Sequence, residues 1–308
     1  MKVLVTGGAG FIGSHVVDLL IQSGHEPIVV DNLRSGNRKF VPPNVRFIKM
    51  DITSPKIDAV FAREKPDVVI HLAAQVDVAS SIKNPVEDAN QNILGTIRLL
   101  ACSQKFNVKK FIFSSSCAVY GEKDDCSIKE TFPVQPLSFY GISKYSSELY
   151  IQAFHQLFKL PYTILRYANV YGPRQSSIGE GGVISIFLKK VLNGEAPHIL
   201  GDGEQTRDFV YVKDVARANV LSIEKGTNGI FNIGTNSKTS IKQLFQIINS
   251  LTNSNLSPIL MPEREGDIRY SRLNNTNAVN LLAWKPEFDL HTGLNETLNY
   301  YKRILKDK

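Results

Sequence analysis

Thr6-Gly7-Gly8-Ala9-Gly10-Phe11-Ile12-Gly13 follows the short apolar run Val3-Leu4-Val5 and opens an amphipathic segment over 11–22. Glycines at Gly7, Gly10 and Gly13 permit a tight turn, let backbone approach a pyrophosphate and bring a helix against a sheet, while the helix N-terminus attracts anionic charge. A glycine-rich turn alone is weak evidence. Here an acid, Asp31, stands at the end of the second apolar run, where a carboxylate accepts from a ribose 2′-hydroxyl and repels a 2′-phosphate. Strand, turn, helix and acid together predict a dinucleotide site that favours NAD over NADP, with Arg34 close by as the one feature that weakens the preference.

Outward from that turn the pattern repeats. Apolar runs at 27–30, 45–49, 68–71, 111–113 and 162–165 alternate with helix-like segments at 11–22, 55–64, 86–104 and 141–158. Such alternation, with strands apolar on both faces, predicts an α/β fold of the Rossmann type: a doubly wound parallel sheet covered on both sides. After Tyr167 glycine- and proline-rich loops with shorter elements take over, with helices expected near 183–192 and 290–305. We expect residues 1–167 to form the NAD-binding domain and 168–308 mainly a smaller substrate-binding lobe, some of whose segments return to the first. Such a lobe would close over the sheet's carboxyl edge, where ligands of open α/β sheets bind.

Composition narrows the class. The chain has 308 residues, 43% of them hydrophobic, and a net charge of +7. Its lysines and arginines are spread along the chain with no run longer than two, which argues against a nucleic-acid surface. Cys102, Cys117 and Cys126 show no metal spacing and are odd in number, which predicts a reduced, cytoplasmic protein. Met1-Lys2-Val3-Leu4-Val5 runs straight into the glycines, too short for a signal peptide, and no later stretch is apolar enough to span a bilayer. The six histidines and the scattered acids form no metal set.

Tyr140 and Lys144 are four residues apart, with Ser114-Ser115-Ser116 upstream. On a helix such a pair shares a face, so an ammonium beside a phenol stabilises the phenolate and yields a base near neutral pH. His71, at the end of a strand, reads as a satisfied structural histidine, and Cys117 as a small residue that fits beside Ser116.

The chain resembles the extended short-chain dehydrogenase/reductases, and within them the UDP-hexose 4-epimerases. The resemblance runs through TGGAGFIG, Asp31-Asn32-Leu33, Asp51-Ile52, His71-Leu72-Ala73-Ala74, the serine triplet with Ala118-Val119-Tyr120-Gly121, and Tyr140-Gly141-Ile142-Ser143-Lys144. It continues through 166–175, Gly201-Asp202-Gly203, Arg207-Asp208-Phe209 and Arg264-Glu265-Gly266-Asp267. It implies a catalytic set of Ser116, Tyr140 and Lys144, with Ser116 orienting the reacting hydroxyl. It also implies NAD contacts at Phe11, Ile12, Asp31, Asn32, Asp51, Ile52, Leu72, Ala73, Ala74, Asn92, Ser114 and Tyr167, besides Tyr140 and Lys144. Asn169, Arg207 and Arg264 are the implied grips on a UDP-sugar, arginine suiting the diphosphate because its fork holds two oxygens. The implied reaction moves a hydride from sugar C4 to NAD and back to the opposite face of a 4-keto sugar that has turned over.

Related 4,6-dehydratases carry an acidic pair after the active-site Ser or Thr, where this chain has Cys117 and Ala118. A UDP-glucuronate 4-epimerase stays open, as does a non-catalytic NAD-sensing protein, although such proteins generally lose the tyrosine or the lysine. Counting from Arg264, the resemblance puts Ser271 in the sugar pocket, where a small residue would admit UDP-GlcNAc and UDP-GalNAc. Tyr270 beside it would reverse that reading after a shift of one. Apolar surplus on 86–104 and 141–158, including Ile93, Ile97, Leu149 and Phe154, predicts a homodimer through a four-helix contact.

Overall fold

The computed structural model describes residues 1–176, 182–263 and 268–306. The first apolar run is strand β1 (Lys2–Thr6), whose Val3 and Val5 enter one buried cluster while Leu4 enters another. That two-sided burial recurs along the first half. In order come α1 (Phe11–Gln22), β2 (Glu26–Asp31), β3 (Arg46–Lys49), α2 (Ile57–Glu64), β4 (Val68–His71), α3 (Val78–Lys83), α4 (Pro85–Ala89), α5 (Gly95–Lys105), β5 (Lys110–Ser116), α6 (Phe139–Phe158) and β6 (Tyr162–Tyr167). The second half supplies β7 (Asn169–Tyr171), α7 (Val183–Leu192), β8 (His198–Leu200), β9 (Thr206–Arg207), β10 (Phe209–Tyr211) and α8 (Val212–Leu221). It ends with β11 (Gly229–Ile233), β12 (Thr239–Ser240), α9 (Ile241–Thr252), β13 (Ile259–Met261), α10 (Thr276–Leu281) and α11 (Leu290–Lys306).

Seven strands form a wholly parallel sheet in the order β11-β6-β5-β4-β1-β2-β3. The chain winds outward from β1 in both directions, so the β1/β4 boundary is the switch point at which open α/β sheets bind ligands. One face packs α1 and α8 through Val16, Leu20, Val215 and Ala218. The other packs α2, α5 and α6 through Phe61, Leu99, Leu100 and Ile151. Each buried Val, Leu, Ile or Phe contributes roughly 1.5–3 kcal/mol. A third cluster, with Phe187, Tyr211, Leu244 and Leu298, joins α7, α9 and α11 beside the sheet.

Two expectations change. The single helix over 86–104 is α4, a π-helical turn at Asn90–Leu94, and α5. At the wide turn the Asn92 carbonyl accepts from the hydroxyls of Thr96 (2.5 Å) and Ser147 (3.0 Å), which draw it off the regular ladder. The region after Tyr167 is richer than loops and short elements, for α8 spans 10 residues and α9 spans 12. From the second half, β11 pairs with β6 along five residues, Gly229↔Thr163 to Ile233↔Tyr167, and is one segment that returns to the sheet of the first half.

Candidate active site

A cleft of about 700 Å³ opens over the carboxyl ends of β1, β4 and β5. Its floor is the glycine turn. Gly7 has φ +70°, and a Cβ there would sit 2.7 Å from the Ala73 nitrogen; a Cβ at Gly13 would meet the Gly7 carbonyl at 2.1 Å. Only glycine allows this approach of loop, helix and neighbouring strand. No side chain caps Gly10 at the start of α1, so the first amides of that helix point at the cleft with their positive end unsatisfied. Asp31 closes the turn from the other side: its carboxylate accepts from the Ala9 N–H (3.0 Å) and the Leu33 N–H (2.8 Å). A carboxylate has about four acceptor positions, so capacity remains for ribose hydroxyls. Loop, helix end and acid fit a dinucleotide.

Phe11, Ile12, Asn32, Ile52, Leu72, Ala73, Ala74, Ser114 and Tyr167 line the same cleft. Asp51 and Asn92 stand behind its wall. Asp51 accepts from Asn32 Nδ2 at 2.8 Å and so fixes a lining residue. Asn92 Oδ1 accepts from the Gln75 N–H at 2.8 Å, and its Nδ2 donates to the Gln75 carbonyl at 2.9 Å. His71 is satisfied at both ring nitrogens, by Thr6 (2.8 Å) and Thr96 (3.0 Å), as a structural histidine should be.

The reacting groups come from β5 and α6. Ser138 caps α6 by accepting from the Gly141 N–H at 3.1 Å, which starts the helix just before Tyr140 and puts Lys144 one turn deeper. Ser116, at the tip of β5, accepts from the Ala118 N–H (3.2 Å) and presents its hydroxyl to the Tyr140 phenol. Lys144 Nζ donates to the Ser114 carbonyl at 2.9 Å and lies 5.9 Å from the Tyr140 ring centre. The ammonium therefore acts on the phenol through space. Burial lowers Lys144 to about 8. Burial also raises Tyr140 above its ordinary value, an effect that the contact with Ser116 partly offsets. In the protein alone, then, Tyr140 is a protonated phenol at neutral pH.

Behind this set lies a buried polar network. Glu148, one turn beyond Lys144, accepts from Ser115 Oγ (2.5 Å), Arg166 Nε (3.0 Å) and Arg166 Nη2 (2.6 Å). Arg166 Nη1 continues to Tyr120 (2.9 Å), whose hydroxyl donates to Asn232 (2.7 Å). One network thus ties α6 to β5, β6 and β11.

The second half reaches the cleft unevenly. Asn169 lines it. Arg207 does not; its Nη1 donates to the Thr206 carbonyl, and its charge is felt by Cys117. Next to it, Asp208 is a buried hub that accepts from the Thr235 N–H (2.9 Å) and hydroxyl (2.6 Å), and from the N–H of Asn236 (3.1 Å) and Leu273 (3.1 Å). Ser271 is 8% exposed and hydrogen-bonds the thiol of Cys117, which lines the cleft beside Ser116. Arg264 lies outside the described residues. The sequence reading missed Gln75, Gln91, Val183 and Phe209 as lining residues. Gln75 follows His71-Leu72-Ala73-Ala74 directly and was within reach; Val183 and Phe209 arrive by tertiary packing alone.

Residues 3–234 match the NAD dependent epimerase/dehydratase family, and the chain belongs to it. A UDP-glucose 4-epimerase from Thermotoga maritima, solved with UDP-glucose, superposes with a TM-score of 0.97 at 48% identity, covering 99% of this chain and 100% of that one. A UDP-N-acetylglucosamine 4-epimerase from Methanobrevibacter ruminantium, in complex with UDP-N-acetylmuramic acid, gives 0.94 at 39%, covering 98% of each. The Thermus thermophilus UDP-glucose 4-epimerase complex with NAD gives 0.93 at 36%, covering 98% of this chain and 99% of that one. NAD is the cofactor of the family, and the glycine turn and Asp31 described above fit it.

Proposed function

We propose that this protein is a UDP-hexose 4-epimerase. The observation that carries the reading is the convergence of Ser116, Tyr140 and Lys144 on the cleft that the glycine turn opens. Gly7, Gly10, Gly13 and Asp31 would hold the dinucleotide. When bound, NAD would supply positive charge and a reversible hydride acceptor, so that a 4-keto sugar could form and be reduced again without external reductant. Tyr140 takes the proton of the sugar 4-hydroxyl and gives it back, Ser116 orients that hydroxyl, and Lys144 stabilises the phenolate charge. Asn169, from the cleft wall, with Arg207 and Arg264 would grip the nucleotide diphosphate while the sugar turns, which requires Arg207 to leave the Thr206 carbonyl and turn toward the cleft.

Ser271 supports a wider substrate range. Its small side chain is buried against Cys117, which lines the cleft, and adds no bulk at that corner, so UDP-GlcNAc and UDP-GalNAc are substrates alongside UDP-glucose and UDP-galactose. Exposed Leu94, Ile142, Leu149 and Tyr150 on the π turn and α6 support a homodimer, and light scattering that returns a monomer at micromolar concentration would rule it out. The three cysteines are free, in keeping with a cytoplasmic protein, and no helix among the described residues is long and apolar enough to cross a membrane. The deciding experiment incubates the purified protein with UDP-glucose, UDP-galactose, their N-acetyl forms and UDP-glucuronate, without reductant, and reads product composition. Interconversion of none of them refutes the reading; interconversion of UDP-glucuronate alone moves the substrate to the acid.

A further inference from the structure

Asp88, on α4, is a buried acid that the mechanism leaves without a task. It is 1% exposed, and its Oδ1 accepts from Gln75 Nε2 (2.9 Å) and Asn92 Nδ2 (3.2 Å). Both partners are neutral amides, and no ion pair between described residues includes it. A desolvated carboxylate without a cation is costly, yet the fold keeps one against the catalytic helix. The same Asn92 Nδ2 reaches Ser143 Oγ at 3.0 Å, the residue before Lys144. The charge of Asp88 favours the ammonium of Lys144 and opposes the phenolate of Tyr140.

The other charged groups around the pair are compensated or remote. Glu148 of α6 is neutralised by Arg166 of β6. His71 of β4 is pushed down to about 3 by burial and by Lys144, and is neutral. Burial raises the Cys117 thiol, which stays protonated. Glu87, next to Asp88, is paired with Arg34, Asp77 caps α3 by accepting from the Ser80 N–H, and Lys83 is exposed at the far end of α3.

We propose that Asp88 is a positioning residue for the catalytic pair: its carboxylate, clamped by Gln75 and Asn92 behind Ser143, sets the charge balance of Lys144 and Tyr140 from outside the cleft. The proposal rests on the epimerase reading and gives Asp88 no contact with either ligand. A charge acting on both groups leaves a signature that a structural role lacks, because its removal makes both acids stronger.

The test is the pH profile of kcat/KM for Asp88→Asn, with the ultraviolet phenolate titration of Tyr140 taken by difference from Tyr140→Phe in the same background. Both limbs of the profile, and the titration, should move toward acid by roughly one pH unit; Asp88→Glu should return them. A lower rate with limbs and titration unmoved overturns the proposal. Should Asp88→Asn fail to fold, Asp88→Ser is measured the same way. If neither neutral variant folds while Asp88→Glu does, the carboxylate belongs to the fold alone and the proposal falls. A wild-type protein that converts no UDP-sugar sinks the epimerase reading instead, and the titration still decides Asp88.

Discussion

Glu148→Ala should cost about 3–5 kcal/mol of folding stability, because it leaves a buried arginine without its counter-charge. Arg166 is 3% exposed and directs two of its nitrogens at Glu148, at 3.0 and 2.6 Å. No other carboxylate side chain replaces that acceptor among the described residues, since its further partners are the Tyr120 hydroxyl and the Glu130 carbonyl. Ser115 loses its acceptor too. With unfolding entropy near 2.1 cal/mol/K per residue, a chain of this length has about 0.65 kcal/mol/K in total, so the melting temperature should fall by roughly 5–8 °C. Calorimetry on the cofactor-free protein measures it. A fall of less than about 1 °C would mean that water reaches Arg166, and the buried-pair argument would be wrong. The apolar double variant Glu148→Leu with Arg166→Met should recover most of the loss, as replaced buried pairs do.

Tyr140→Phe should lower kcat by roughly 10²-fold or more while NAD and UDP still bind by calorimetric titration; near-normal turnover removes Tyr140 from the mechanism. Lys144, held by burial at about 8 instead of its ordinary 10.5, is cationic below that pH and neutral above it. The rate should therefore fall on the alkaline side from about pH 8, and a profile flat to pH 10 contradicts the assigned role. Ser271→Tyr should suppress conversion of UDP-GlcNAc and UDP-GalNAc and spare UDP-galactose. A wild-type protein that already refuses the N-acetyl sugars defeats the Ser271 argument without touching the epimerase assignment.

The sheet is legible in the sequence because Val3-Leu4-Val5 and its counterparts are buried on both faces, which writes each strand as an apolar run. The cleft is legible for a related reason: Gly7, Gly13 and Asp31 answer to local backbone geometry that only those residue types satisfy. What the sequence hides is what long-range packing decides. β11 has five residues, Gly-Ile-Phe-Asn-Ile, with a buried asparagine whose amide is taken up by Tyr120, Ile128 and Asn274, all distant in sequence. α9 does carry a local signal, the capping box Ser240 and Gln243, but the loop-like texture around it masks it. The π turn at Asn90–Leu94 shows only part of its cause locally, in Thr96, since Ser147, which helps draw off the Asn92 carbonyl, lies on another helix.

The pairing of β11 with β6 also sets an order of events. The strand that completes the sheet ends at Ile233, 66 residues after β6 ends at Tyr167. Emerging from a ribosome at roughly 5–20 residues per second, the chain holds β6 as an open edge for several seconds, with its backbone N–H and C=O groups free to pair with another nascent chain. A chain stopped after Tyr167 never leaves that state. Its glycine turn would be intact, yet it should aggregate rather than bind a dinucleotide, which makes the natural boundary of the folding unit later than the boundary of the fingerprint.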